Sequence, residues 1–283
     1  MSNVIACIDG SSLSEHVTTA SVWAALTMRS PITLLHSLEK PPTRTAEDLS
    51  GSIGFGSREH LLNELITLEE KRSKLALEHG KLVLENAEVF AKQAGAEHIQ
   101  SLQRHGDLIE TLTDLKDETR LIVLGRLGSN HSIDAHTVGS NIERVARTLH
   151  NPILISVGEF HPPKNFMIAY DGREAADNAI QRIAKSPLLK KLPCHLVMAG
   201  ENSPERQQKL AKATQILEAE GFEVTAYLES GSIFSVISHY RDQHKIELMV
   251  MGAYAHSKVR QFFVGSNTSR MIIESPTPLL IMR

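Results

Sequence analysis

The sequence predicts an α/β protein of two tandem doubly wound domains, each a five-stranded parallel sheet in the order 3-2-1-4-5 with helices on both faces. The first observation behind this prediction is an internal repeat of two phrases in the same order. An apolar run ending in Asp-Gly opens the chain at Val4–Gly10 and returns at Phe166–Gly172. A second apolar run, which ends in glycine, occurs at Leu121–Gly125 and again at Leu248–Gly252. The other observation is that short apolar runs alternate with helix-length segments, as in a parallel sheet with crossover helices.

In the first half, strands are predicted where aliphatic residues cluster between turn residues, and helices where apolar and charged residues alternate at helical spacing. The predicted strands are Val4–Ile8, Ile32–His36, His98–Arg104, Leu121–Leu124 and Ile153–Val157. The predicted helices are Ser14–Met28, Leu61–Ala94, Asp107–Thr119 and Ser140–Thr148. The charge-rich run Glu69–Lys81 is interpreted as the exposed face of an amphipathic helix.

The second half repeats this order of elements. Its predicted strands are Phe166–Tyr170, His195–Ala199, Glu223–Glu229, Leu248–Met251 and Leu279–Met282. Its predicted helices are Ala175–Ala184, Pro204–Glu220, Ile233–His244 and Asn267–Glu274. A proline introduces the fifth strand in both halves, at Asn151-Pro152 and Thr277-Pro278. Since the residue before a proline avoids helical backbone, each proline ends the preceding helix and returns the chain to an extended conformation.

A chain of 283 residues is long enough for two domains of ordinary size. We expect them at residues 1–158 and 164–283, joined by a short linker that contains Pro162-Pro163. The first domain is the longer one, and its excess lies in residues 39–69, where prolines and glycines mark a loop. This insertion is either a surface excursion leading into the long second helix or a cover or partner-docking loop.

The composition excludes several classes of protein. A hydrophobic content of 41% supports buried cores, and a net charge of -3 gives no electrostatic reason to expect nucleic-acid binding. Cys7 and Cys194 lie in different halves without a spacing pattern, so both are interpreted as small buried apolar residues rather than a disulfide framework. The first strand leaves no room for a signal peptide, and no apolar run approaches the roughly 18–20 residues that cross a bilayer. We therefore expect a cytoplasmic protein with no membrane partner.

The residues that could bind a ligand lie where the strands end. In an open parallel sheet, ligands bind beyond the carboxyl ends of the strands, where the strand order reverses. Asp9 with Gly10, and Asp171 with Gly172, follow the first strand of each half, while Gly125 and Gly252, the latter preceded by Met251, end the fourth. Glycine there lets backbone approach a ligand closely, and an aspartate can accept hydrogen bonds from a ribose or a base. A nucleoside-phosphate site is therefore predicted in each half.

A Gly-Ser pair opens the helix that follows the fourth strand in each half. The pairs are Gly139-Ser140 and Gly265-Ser266, followed by Asn141 and by Asn267-Thr268. The free N–H groups and the positive end of the helix dipole favour a phosphate at such a position. Serine there can cap the helix or donate to a phosphate oxygen, and both roles fit one position.

With these features present twice, the chain resembles the tandem universal stress proteins, and the resemblance covers nearly all of it. Members of that family that bind nucleotide show Gly-x-x-Gly, then nine residues, then Gly-Ser or Gly-Thr. The first half has Gly125 and Gly128, but ten residues precede Gly139. The second half keeps nine residues before Gly265, but Ala255 replaces the second glycine. The second half is favoured, because a changed loop length displaces every donor whereas one methyl group is tolerated at negative φ.

The resemblance implies a Rossmann-like nucleotide-binding fold, with ATP or another adenine nucleotide as the ligand and Mg only together with the nucleotide. It also implies contacts to adenine near Ser37 or Ala199, at the end of the second strand of each half. Thr268 adds a hydroxyl group that Ile142 cannot supply in the first half. In the family, the fifth strands pair across a dimer interface. Here the apolar edge strands Ile153–Val157 and Leu279–Met282 could pair within one chain, as a pseudo-dimer, and a further homodimer stays open.

Other charged residues near the predicted site are given simpler interpretations. His131, His136 and His256 are too loosely spaced for a metal site, although they could donate to a phosphate. The remaining cations of these loops are interpreted as solvated charges; they are Arg126, Lys258 and Arg260. A phospho-accepting receiver domain would need an additional acidic pair and a strand-end lysine, which the sequence does not offer.

The leading hypothesis is a stress-response protein that binds an adenine nucleotide and hydrolyses it slowly at most. No Walker lysine follows a glycine-rich loop, and local motifs indicate no catalytic triad, so the chain is not expected to be a fast enzyme. The alternative is a nucleotide-free interaction scaffold with vestigial sites. A third hypothesis is an adenylate-forming or pyrophosphatase-type enzyme, which would turn over nucleotide in a manner dependent on Asp171.

Overall fold

The computed structural model describes residues 2–38, 55–126, 140–252 and 267–282, with only the backbone of 55–62, 140, 267 and 268. In these ranges ten strands form one sheet. The strands are β1 (Asn3–Cys7), β2 (Ile32–Leu38), β3 (Ile99–His105), β4 (Thr119–Gly125), β5 (Ile153–Ser156), β6 (Phe166–Ala169), β7 (Cys194–Ala199), β8 (Val224–Glu229), β9 (Met249–Gly252) and β10 (Leu279–Met282). Every strand predicted from the sequence is confirmed, with shifts of one or two residues at the ends.

The helices also follow the predicted order. They are α1 (Ser14–Met28), α2 (Phe55–Gln93), α3 (Leu108–Asp114), α4 (Ser140–Thr148), α5 (Glu174–Lys185), α6 (Pro204–Ala219), α7 (Ile233–Gln243) and α8 (Asn267–Glu274). Helix α2 begins at Phe55, six residues before the predicted Leu61, so residues 55–69, predicted as part of a loop, are helical. Helix α3 is shorter than the predicted Asp107–Thr119. Asp107 is its cap, since the carboxylate accepts the N–H groups of Ile109 and Glu110, and a 3-10 turn at Lys116–Glu118 leads into β4.

The strand order is β3-β2-β1-β4-β5-β10-β9-β6-β7-β8, so each half has the predicted order 3-2-1-4-5. Neighbouring strands within each half are parallel. At the centre, β5 and β10 pair antiparallel, with Leu279 opposite Ile155 and Ile281 opposite Ile153. The fifth strands therefore pair within one chain as predicted, and this junction relates the halves by a pseudo-two-fold axis.

The hydrophobic core lies on both faces of this sheet. One cluster joins the sheet to α1, α2, α5 and α6, and the other joins it to α3, α4, α7 and α8. Alternate strand residues point to opposite faces, so neighbours such as Val4 and Ile5 belong to different clusters. Cys194 is buried and Cys7 partly buried, and burial raises the pKa of the Cys194 thiol to about 12. No helix in the described ranges is long and apolar enough to cross a membrane.

Helix α2 passes unusually close to the sheet at Gly80. A Cβ atom built on Gly80 would lie 2.6 Å from Cδ2 of His36 and would also overlap the Gln103 amide. His36 is buried, and its Nδ1 lies 2.6 Å from the carbonyl oxygen of Ile8. The absence of a side chain at position 80 therefore allows α2 to pack close to β2, next to the end of β1.

Arg126 connects the two halves. Its Nη1 donates to the carbonyl oxygens of Ile273 at 3.1 Å and Ser275 at 2.6 Å, at the carboxyl end of α8. These carbonyls lie where a helix leaves backbone acceptors without intrahelical partners, and burial lowers the pKa of the guanidinium. The prediction that Arg126 is a solvated loop charge is therefore wrong.

Candidate functional site

The sheet register brings the predicted site residues into one row in each half. Cys7 pairs with Leu35 and Ala6 with Val123, so continuing the register sets Asp9 level with Ser37 and one residue beyond Gly125. Neighbouring strands lie about 5 Å apart, so the members of a row are close together. We call Asp9, Ser37 and Gly125 the first row.

The second half repeats this arrangement in the same register. Ala169 pairs with Val197 and with Met251, which sets Asp171 level with Ala199 and one residue beyond Gly252. We call Asp171, Ala199 and Gly252 the second row. The Asp-Gly turn, the end of strand two and the end of strand four therefore converge twice, as predicted from the repeat.

In the first row the polar groups are held by local hydrogen bonds. Oδ1 of Asp9 accepts the N–H of Ser11 at 2.9 Å and the hydroxyl of Ser14 at 3.2 Å. Oγ of Ser37 donates to the carbonyl oxygen of Gly106 at 2.8 Å. Gly10 has φ +79°, and a Cβ there would lie 3.0 Å from Val83 of α2. Helix α2 therefore packs directly against the turn that carries Asp9.

The second row is more open. Oδ1 of Asp171 accepts the N–H of Arg173 at 3.0 Å, and the Asp171 side chain is 50% exposed. Gly172 has φ +70°, a left-handed conformation that favours glycine, and Lys209 of α6 lies over it. The Lys209 ammonium is 2.9 Å from Glu205. The other oxygen, Oδ2, lies 3.7 Å from Nε of Arg173. Because both side chains are exposed, this ion pair is weak and a ligand can compete for the carboxylate.

A partly buried arginine, Arg206, lies beside the second row. Gly200 follows Ala199 with φ +142°, and the Arg206 guanidinium of α6 fills the space that a Cβ of residue 200 would occupy. Nη1 of Arg206 is buried and has no hydrogen-bond partner in the described part of the chain. A buried donor without a partner costs free energy, which a bound acceptor would recover.

Gly252 differs from Gly172 in its surroundings. A Cβ on Gly252 would meet the Ala175 carbonyl at 3.6 Å, an ordinary van der Waals contact, and its φ is not in the left-handed range. Neither packing nor backbone conformation therefore requires glycine at this position. The Met251 side chain is buried in the core, which leaves only its backbone to reach a ligand.

The loops predicted to hold phosphate lie largely outside the described residues. This applies to the predicted site positions Gly128, Gly139, Ala255, Gly265 and Ser266. Helices α4 and α8 begin at the predicted Ser140 and Asn267, for which, as for Thr268, only the backbone is described, and Asn141 is partly buried. In the described ranges no group of three or more His, Cys, Asp or Glu residues could hold a metal ion.

Sequence reasoning missed the residues that helices α2 and α6 bring to the rows. These are His79 and Val83 beside Gly10, and Arg206 and Lys209 beside the second row. The signal available was the three-residue spacing of Arg206 and Lys209, which places both on one helical face.

Behind the second row, the Tyr170 hydroxyl donates to Asp177 at 2.5 Å. Burial, reinforced by that bond, raises the pKa of Tyr170.

Comparison with known proteins agrees with this architecture. The model of the universal stress protein family matches residues 1–156 and 196–283. A universal stress protein of Synechocystis sp. is 32% identical over 287 residues, covering 100% of both chains. A universal stress protein of Archaeoglobus fulgidus has a similar structure, with a TM-score of 0.74, 19% identity and coverage of 99% of this chain and 98% of that one. A functionally unknown protein of Pseudomonas aeruginosa is similar with a TM-score of 0.59, 14% identity and coverage of 99% and 92%.

Proposed function

The chain belongs to the universal stress protein family, and on that premise we propose that it is a cytoplasmic stress-response protein that binds ATP or a related adenine nucleotide in its second half. Each half would form one domain, residues 1–158 and 164–283. Mg would enter only with the nucleotide, and hydrolysis would be slow at most.

The observation that carries this proposal is the buried, unpartnered Nη1 of Arg206 beside the second row. Adenine nitrogens and ribose oxygens are acceptors that such a donor can bind. The accessible carboxylate of Asp171 supplies an acceptor for a ribose hydroxyl. Gly252, which the protein's own packing does not require, leaves room for close approach of the ligand.

The preference for the second half rests on how the first row is occupied. Asp9 and Ser37 already make local hydrogen bonds, and the Arg126 guanidinium is hydrogen-bonded to a carbonyl oxygen at the end of α8. The family spacing of nine residues before Gly265 supports the same choice.

The test is calorimetric titration of ATP into the purified full chain. We expect one nucleotide per chain, with affinity lowered roughly tenfold or more by Asp171→Asn or Arg206→Met. The matched control is Asp9→Asn in the first row, which should leave the affinity unchanged. Equal losses from Asp9→Asn and Asp171→Asn would refute the preference for the second half.

A double variant tests the predicted phosphate loop separately from the second row. Replacing Gly265 and Ser266 together should weaken binding, and unchanged affinity would remove the second site from consideration. Phosphate release from Mg-ATP should be slow. Fast turnover that depends on Asp171 would instead favour an enzyme.

A nucleotide-free interaction scaffold is the alternative. The observation that favours it is the set of leucines on α2, which are 48–65% exposed at Leu65, Leu68, Leu75 and Leu82. Failure of the intact chain to bind any adenine nucleotide, with its fold preserved, would favour this alternative.

A further inference from the structure

A pocket of about 290 Å³ lies where the two halves of the molecule meet. Its floor includes Leu121 of β4 and Leu280 and Met282 of β10, which belong to the core cluster on the face of the sheet that α1 and α5 cover. Met28, the last residue of α1, and Ile183, in the last turn of α5, also line it. We call this cavity the junction pocket, and no described residue of either row lines it.

Helices α1 and α5 both end at the junction pocket, and arginines bind the backbone at its rim. Nη1 of Arg120 donates to the carbonyl oxygen of Met28 at 3.1 Å and to Oγ of Ser30 at 3.2 Å. Nη1 of Arg182 donates to the carbonyl oxygen of His150 at 3.2 Å. These contacts hold one guanidinium group from each half in place, so less side-chain entropy is lost when a ligand binds there.

The junction pocket carries an excess of positive charge. Three cations line it, Arg120, Arg182 and Lys185, and none of its described lining residues is acidic. The carboxyl end of a helix carries about half a negative charge, so the ends of α1 and α5 offset about one of the three positive charges. The two hydrogen bonds of Arg120 use Nη1, and its Nη2 and Nε can donate to an anion. The pocket therefore favours an anionic ligand.

The floor of the junction pocket is apolar, which favours an anion with an apolar body over a bare inorganic ion. The side chains of Leu121, Leu280 and Met282 offer carbon and sulfur atoms for contact. Covering them with an apolar chain removes apolar surface from water and stabilises the complex in proportion to the area buried. The volume equals that of about ten water molecules at ~30 Å³ each, which is room for about ten non-hydrogen atoms.

From this combination we infer that the junction pocket binds a small carboxylate with an apolar body, of about the size of octanoate. The carboxylate binds Arg120 and Lys185, and the apolar body lies on Leu121 and Leu280. Because both halves contribute lining residues, the bound ligand stabilises the folded junction between them. The inference goes beyond nucleotide binding, and neither depends on the other.

The first test is calorimetric titration of octanoate into the purified full chain. We expect a dissociation constant of roughly 0.1–1 mM, which suits a ligand of about ten non-hydrogen atoms. Acetate, which has the head group alone, and octanol, which has the chain alone, should each bind at least roughly tenfold more weakly. Octanol binding as tightly as octanoate, or no octanoate binding up to about 10 mM, would overturn the inference.

Variants of the cations test the head-group contacts. Arg120→Met and Lys185→Met should each weaken octanoate binding roughly tenfold. The matched controls are Arg104→Met and Lys212→Met, which remove exposed cations outside the pocket and should leave the affinity unchanged. Circular dichroism checks that each variant keeps its fold. Equal losses from the pocket variants and the controls would overturn the assignment of the head group.

Methyl NMR spectra of the methionine-labelled protein locate the ligand without any substitution. Octanoate should shift the methyl resonances of Met28 and Met282, which line the junction pocket. It should leave the resonance of Met167 unchanged, because that side chain is buried on the other face of the sheet. Unchanged resonances of Met28 and Met282 at saturating octanoate would overturn the inference.

Discussion

Replacement of Gly80 by alanine should destabilise the protein, although alanine is the better helix former. In a helix, alanine is favoured over glycine by about 1 kcal/mol. Here the new methyl carbon would lie 2.6 Å from the His36 ring, well inside the ~3.5–4.0 Å of a normal carbon contact. The ring is buried and hydrogen-bonded to Ile8, so it has little freedom to move.

The size of the effect follows from these two opposing contributions. Overpacking of a filled site costs about 1–3 kcal/mol, and the depth of this overlap places the cost near the upper end. After the gain in helix propensity, Gly80→Ala should lower the free energy of unfolding by about 2 kcal/mol. The melting temperature should fall by roughly 4–8 °C for a chain of this size.

Urea and thermal unfolding of the full chain measure this change. Ser73→Ala, at an exposed position of the same helix, is the control and should be neutral or slightly stabilising. In a His36→Ala background only the Gln103 amide, the end of a flexible side chain, still overlaps the methyl group, so Gly80→Ala should destabilise much less. A rise in stability of about 1 kcal/mol for Gly80→Ala alone would refute the close approach of α2 to the sheet.

Three further predictions concern stability. Arg126→Met should lower the free energy of unfolding by about 2 kcal/mol, because the carbonyls at the end of α8 lose a charged donor; an unchanged urea midpoint would contradict this. Burial, and then the charge of His244, lower the pKa of His195 below its usual 6.5, so the folded state binds fewer protons than the unfolded chain. The contribution of His195 to the free energy of unfolding is therefore fully present above pH 6.5 and is lost as the pH falls below that value. Thermal unfolding of His195→Gln should show a smaller loss of stability over the same pH range. Gly172→Ala should lower the free energy of unfolding by about 1–2 kcal/mol because of its positive φ. Gly252→Ala should leave the free energy of unfolding nearly unchanged but weaken ATP binding. Equal destabilisation by both variants would contradict the difference between these two glycines.

Much of the fold could be predicted because its signals are local. The repeat gave the order of elements, and the prolines at 152 and 278 marked the entry to both fifth strands. The contact of Arg126 with the end of α8 joins residues 147 positions apart, and nothing in the local sequence indicates it. The overlap that requires glycine at position 80 likewise depends on the distance between a helix and a sheet.

The residues of the candidate site likewise fall into those that the sequence predicted and those that it did not. The Asp-Gly turns and strand-end glycines were predicted, since strand ends and parallel register place them level with one another. Arg206 and Lys209 were missed, because which face of α6 turns toward the row is decided by packing with the core. The run Glu69–Lys81 was interpreted as the exposed face of an amphipathic helix, but the sequence pattern did not reveal that leucines of the same helix, such as Leu68 and Leu75, are exposed as well.

The antiparallel junction of β5 with β10 has a consequence for the two candidate rows. The carboxyl ends of the strands in one half point opposite to those in the other, so the rows open on opposite edges of the molecule. Helix α8 begins at the edge of the second row and ends where Arg126, next to Gly125 of the first row, holds its carboxyl end. This helix has eight residues and is about 12 Å long. Arg126 therefore links the strand end of the first row to the carboxyl end of a helix of the second half.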